Sequence, residues 1–99
     1  MKDHNYFVYI TTNPKKSVLY TGVTNDLYTR MQEHYRDAMG ERKTFAGKYH
    51  CYNLIYFEHH SYINHAIERE KEIKGWSRDK KKMLIDNQNI SWKFLNDEI

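Results

Sequence analysis

Cysteine is almost absent. Cys51 stands alone, so the chain can form no internal disulfide and no thiolate cage around zinc, and it shows no mark of an oxidising compartment. Long hydrophobic runs are absent too. The longest are "YFVYI" and "LIYF", whereas a spanning helix needs roughly 20 apolar residues and a signal-peptide core roughly 7 to 15. With no targeting segment visible, the expectation is a soluble, cytoplasmic protein without a membrane partner. Also missing are a glycine-rich phosphate loop, a G-x-S-x-G elbow and an H-E-x-x-H helix, and with them the chemistries those motifs carry.

What is present fits one globular domain over residues 1–99. Hydrophobic residues make up 39% of the 99 and charged residues 29%, too apolar for a disordered tail and of a length that supports a single core. The net charge of +3 is mild but unevenly placed, since residues 69–82 carry seven Lys or Arg against three acids. That skew suits an anionic partner, and equally a solvated helix face.

Residues 6–12, "YFVYITT", and 18–22, "VLYTG", are rich in β-branched and aromatic types, with "NPKK" between them as a turn; together they read as a β-hairpin. A four-residue loop over 13–16 would set Thr12 against Ser17 and Tyr9 directly opposite Tyr20. "TND" then offers caps for a helix over about 26–38, on which Leu27, Arg30, Met31 and His34 share a face. The polar stretch "RDAMGERKTFAGKYH" reads as a long loop with little structure of its own, and residues 52–58 as a third strand, expected to be the best buried. Ser61 can cap a second helix that Gly75 closes, and Ser77 can start a third.

On the second helix, Ile63, Ala66, Ile67 and Ile73 define an apolar stripe with Glu70 in its middle, while Glu68 and Glu72 point away. A carboxylate facing a core must be paired, hydrogen-bonded or bound to a metal. A structural salt bridge, for example to Arg30, is the simpler of these explanations on the residues alone. If the hairpin and these two helices share one core, Tyr9, Tyr20, Arg30, His34 and Glu70 border one face of the sheet. These types suit phosphodiester hydrolysis: a carboxylate for a divalent ion, an Arg fork for phosphate, a Tyr or His for water. Zinc binding by His59, His60 and His65 fits less well, because adjacent histidines point to opposite sides of a strand.

These residues resemble the GIY-YIG nuclease family. "FVY" at 7–9 stands where the family has its first motif, "YTG" at 20–22 matches the second, and "TNDLYTRMQEH" and "AIEREKEIKGWSRDKK" look like the helices bearing its Arg and Glu. The likeness spans a motif core of about 5–85 and is strongest to small free-standing members related to the nuclease half of the bacterial excinuclease C subunit. It implies an α+β fold, a three-stranded antiparallel sheet flanked by helices, and hydrolysis of DNA with one magnesium or manganese ion. By the resemblance Tyr9 would activate water, Tyr20 would orient water and phosphate, Arg30 would stabilise phosphate charge, His34 would assist proton transfer, and Glu70 would hold the metal. It favours a metal ligand over a salt bridge at Glu70.

Some positions depart from the family pattern. Phe7 and Val8 replace a Gly and an Ile, Thr21 replaces an Ile, Val23 stands where the excinuclease branch has a lysine, and His34 replaces a tyrosine of that branch. Phosphate contacts would come from the chain's own cations, chiefly Lys71, Lys74, Arg78, Lys80, Lys81 and Lys82, with Lys48 in the long loop. The expectation is an endonuclease acting on DNA in repair or recombination, with RNA fitting the same residue types. The rival is a non-cleaving nucleic-acid-binding module that serves an accessory role to protein partners.

Overall fold

A computed structural model describes residues 4–99. Its centre is β1 (Tyr6–Thr12), in which residues 8–12 are all buried. β2 (Leu19–Thr24) and β3 (Asn53–His60) flank it, both antiparallel, in the order β2-β1-β3. The best-buried strand is therefore β1 and not β3 as the sequence suggested: a central strand is covered on both faces and both edges, and its apolar and threonine side chains need no polar alternation.

Four helices complete the fold: α1 (Leu27–Met39), α2 (Phe45–Lys48), α3 (Ile63–Lys74) and α4 (Arg78–Gln88), followed by a short 3-10 turn, Asn96–Glu98. Asp26 caps α1 through the Thr29 N–H and hydroxyl, and Ser77 caps α4 through the Lys80 N–H. α2 lies in the stretch expected to be a long loop with little structure of its own. Ser61 is not the cap of α3; Tyr62 occupies that position with no side-chain capping bond.

The hairpin register differs from the expected one by two residues. Tyr9 pairs with Gly22 and Tyr20 with Thr11, because the strands are joined by residues 13–18 and Thr12 faces Leu19. The longer loop is stabilised from inside. Asn13 Oδ1 accepts from the N–H groups of Ser17 and Val18 at 2.8 and 3.0 Å, and Lys16 adopts φ 59°, in the left-handed region. A shift of two keeps every side chain on its face, so Tyr9 and Tyr20 remain diagonal neighbours.

The two sheet faces carry separate cores. Val8, Ile10 and Tyr56 pack with Ala66 and Ile73 of α3 and Ile85 of α4, whereas Tyr9 and Leu54 pack with Leu27 and Met31 of α1 and Leu95 of the C-terminal tail. α1 and α3 thus lie on opposite faces, and the single shared core expected from the sequence is not formed. Only Ala66 and Ile73 of the α3 stripe are buried; Ile63 and Ile67 are exposed.

The sheet edges differ as well. Gln88 exchanges two hydrogen bonds with the Phe57 backbone, Leu95 N–H donates to the Leu54 carbonyl, and Asn96 Oδ1 accepts from the Leu54 N–H. The free edge of β3 is covered in this way. The β2 edge is left to Arg30 and the residues around it.

Candidate active site

Glycine at position 22 is what lets Tyr9 lie where it does. A Cβ there would stand 2.5 Å from Tyr9 Cζ, so the phenol ring fills the volume a side chain would have taken. Tyr9 is completely buried, and its hydroxyl oxygen lies 2.8 Å from His34 Nε2. Burial pushes the Tyr9 phenol far up, with Tyr20 adding to the rise, while Arg30 opposes it and Glu70 adds a little more. Burial likewise pushes the His34 imidazole down to about 4, with the Arg30 charge adding to the fall. Both partners are neutral at pH 7, and the tautomer of His34 sets which atom holds the shared proton.

Tyr20 is the accessible member of the group. Its ring centroid lies 6.3 Å from that of Tyr9 and 5.5 Å from that of His34, and its side chain makes no hydrogen bond among the described residues. It opens onto a pocket of about 440 Å³ shared with Arg30, Glu33, His34, Asp37, Lys43 and Thr44. Arg30 stands in this pocket, tethered by Nε to Glu33 at 3.0 Å and by Nη1 to the Val23 carbonyl of the β2 edge at 3.3 Å. The guanidinium also interacts with the Tyr9 phenol, and a planar guanidinium is the group that suits bidentate contact with a phosphate.

Glu70 comes from α3, on the other side of the sheet. Its side chain is 14% exposed and pairs with Lys74 Nζ at 3.0 Å, not with Arg30. Lys74 in turn reaches the Tyr20 ring at 5.8 Å. Lys74 thus brings the α3 pair to the Tyr20 ring, and the Glu70 charge is felt at the Tyr9 phenol. Val23 packs against the core on the opposite face, and Lys74 is the lysine that reaches the Tyr20 ring.

Glu70 is the carboxylate on which the expectation of a metal rests, and its partner in this structure is Lys74. Among the described residues no three His, Cys, Asp or Glu side chains converge to hold a metal, and the pocket carboxylates Glu33 and Asp37 are engaged by Arg30 and Thr44. Magnesium commonly uses one or two carboxylates, keeping its other positions for water and substrate phosphate. A metal on Glu70 would have to displace Lys74, whose side chain is 48% exposed.

The remaining candidate residues scatter. Lys80 lies over the Trp76 ring at 4.4 Å, Arg78 and Lys81 line a separate groove beside Ser17 and Leu19, and Lys71 and Lys82 are exposed or nearly so on α3 and α4. Lys48 sits on α2. His59 lies 2.8 Å from Asn5 Oδ1 and His60 2.6 Å from Glu58 Oε2, so the histidine pair is engaged elsewhere. The sequence reading missed Thr44 and Asp37 at the pocket and Phe45 stacked on Tyr20. The one available signal was Phe45, a large apolar ring inside an otherwise polar stretch.

A family model described as GIY-YIG catalytic domain matches residues 5–83. A UPF0213 protein of Haloquadratum walsbyi is 36% identical over 86 residues, covering 87% of this chain and 91% of the relative. A UPF0213 protein of Bacillus pumilus is 32% identical over 91% of this chain and 88% of its own length. The solution NMR structure of a UPF0213 protein from Bacillus halodurans superposes with a TM-score of 0.56 at 27% identity, with 89% of each chain covered.

Proposed function

This chain belongs to the GIY-YIG catalytic-domain family, among the small UPF0213 proteins, and on that premise we propose that it is a divalent-metal-dependent endonuclease that hydrolyses DNA. The observation that carries the reading is a pocket lined by Tyr20, Arg30 and His34, with Tyr9 buried behind His34 and the Glu70–Lys74 pair reaching the Tyr20 ring.

The geometry refines the expected roles. Tyr9 is buried and its phenol keeps its proton, so it positions His34 and does not meet water itself. Tyr20 is the phenol that reaches the opening, and it takes the water-orienting role. Arg30 binds the scissile phosphate. An incoming phosphate offsets the Arg30 charge that helps depress His34, and its own charge raises the imidazole, so His34 becomes a better proton acceptor when substrate is present. A magnesium or manganese ion on Glu70, when bound, supplies Lewis-acid charge to the phosphate oxygens. Lys74, displaced from Glu70, remains beside Tyr20 as a further phosphate contact. Action on DNA in the cytoplasm, in repair or recombination, is the setting this chemistry suits.

A second reading has one observation of its own. Lys74 already neutralises Glu70, as in a module that binds nucleic acid without cutting it. The two separate when the purified chain is incubated with labelled duplex, single-stranded and forked DNA in magnesium or manganese and in chelator. Metal-dependent cleavage of any of them supports the nuclease; binding without cleavage supports the accessory module.

A further inference from the structure

Phe45 and Tyr49 form an aromatic edge beside the pocket that the catalytic reading does not use. Phe45 stacks on Tyr20 with centroids 5.9 Å apart and planes 25° from parallel, and Tyr49 follows at 4.7 Å from Phe45. Both rings remain in solvent, Phe45 51% and Tyr49 42% exposed. Rings left this open contribute little to the core.

The segment that carries them is nonetheless firmly held. Asp37 on α1 accepts from the N–H groups of Lys43 and Thr44, both at 2.9 Å, and from the Thr44 hydroxyl at 2.7 Å. Thr44 caps α2 through the Gly47 N–H. Gly47 lies so close to Asp37 that an added Cβ would stand 2.6 Å from its Cγ. Ala46, Gly47 and Cys51 are buried, and the Cys51 N–H donates to the Ala46 carbonyl at 2.8 Å. The inner side of α2 is pinned to α1 while its outer side presents two fixed rings.

Cations interleave with the rings. Lys48 Nζ lies 5.5 Å from the Tyr49 centroid and Lys74 Nζ 5.8 Å from that of Tyr20. Lys43 opens on the same pocket, paired only with Glu41 in a contact where both side chains are over 70% exposed and water screens the pair. Fixed aromatic faces alternating with lysines match a polymer that offers flat π-systems on a phosphate backbone.

We propose that the α2 edge is a stacking platform for unpaired bases, so that the DNA strand led to Tyr20 and Arg30 is single-stranded, as at a flap, a gap or a frayed end. This rests on the nuclease reading for the identity of the polymer. In a duplex the base faces are hidden in the stack, and only a strand out of pairing can lay them on Phe45 and Tyr49.

The test measures binding without any divalent ion, so that nothing is cut. Fluorescence anisotropy compares a labelled thymidine strand of about 12 nucleotides with a blunt duplex of equal length, for wild type, Phe45→Leu, Tyr49→Leu and Phe45→Trp. The wild type is expected to prefer the single strand. Each leucine variant should weaken strand binding by about tenfold and duplex binding by less than about twofold, with tryptophan at position 45 restoring the strand. A 2-aminopurine in the strand should be quenched by wild type and less by Phe45→Leu. Equal losses on both substrates, leucine variants that bind like wild type, or a preference for duplex would overturn the proposal. A protein that grips strands through Phe45 yet hydrolyses nothing keeps this inference and loses the nuclease reading. One that cuts duplex with Phe45→Leu unimpaired does the reverse.

Discussion

Tyr9 stands across from Gly22 in the β1–β2 ladder, and its ring occupies the space where a side chain on Gly22 would begin. Gly22→Ala should therefore destabilise the fold by about 1–3 kcal/mol through overpacking. It should also disturb the Tyr9–His34 bond. Denaturant unfolding measures the first effect. Adding Tyr9→Leu, which removes the ring, should recover part of the loss, so that the two substitutions are not additive.

The imidazole of His34 is held down to about 4 by burial and by Arg30, against an ordinary 6.5. A group of this kind binds its proton more readily in the unfolded chain. Its contribution to stability is complete above about pH 6.5 and is lost as pH falls toward 4, a change of order 2 kcal/mol once screening at the open side is allowed for. Urea unfolding between those pH values should show this slope, and His34→Gln should flatten it.

The strand and helix segments were legible in the sequence because their signals are local: β-branched and aromatic runs, Asp26 and Ser77 as caps, and Gly75 after α3. The register was not, since a two-residue shift depends on Asn13 folding its side chain back onto Ser17 and Val18. α2 escaped for a similar reason. Its four residues are too few for a helical period, and it exists because Asp37, seven residues before Thr44, reaches across to receive that residue. The candidate site was visible as a set of residue types. Its placement at a sheet edge, with α1 and α3 on opposite faces, required knowing which strand is central.

Glu58 is the hub of a polar cluster on the α3 side. It accepts from the Tyr56 hydroxyl at 2.5 Å and from Arg69 Nε at 3.2 and 3.0 Å, and it lies 2.6 Å from His60 Nε2. Burial would raise this carboxyl, but the bonds from Tyr56, His60 and Arg69 outweigh it and hold the group below the usual carboxylate range. Its contribution is present above that range and lost as pH falls through the lowered value. Glu58→Ala leaves Arg69 with only Glu72 and should cost about 3 kcal/mol in thermal or urea unfolding. Because the cluster lies on the face opposite Tyr9, metal-dependent cleavage by the folded fraction should survive.

The two tyrosines should separate kinetically. Tyr20→Phe removes the only phenol of the pair that reaches the pocket and should lower the single-turnover cleavage rate by about 100-fold with little change in stability. Tyr9→Phe leaves His34 Nε2 without its partner and should cost about 1–3 kcal/mol of stability. Cleavage then falls through misplaced histidine, and the pH profile changes.

Glu70 carries the central claim. Its partner Lys74 is a half-exposed i,i+4 neighbour, so Glu70→Gln should alter stability by no more than about 1 kcal/mol. The decisive measurement is single-turnover cleavage of labelled DNA by wild type and Glu70→Gln across a magnesium titration, with unfolding midpoints recorded for both. The expected result is metal-dependent cleavage by wild type and a rate at least about 100-fold lower in the folded variant. A variant that cuts at the wild-type rate, or a folded wild type that cuts nothing at any magnesium concentration, would contradict it.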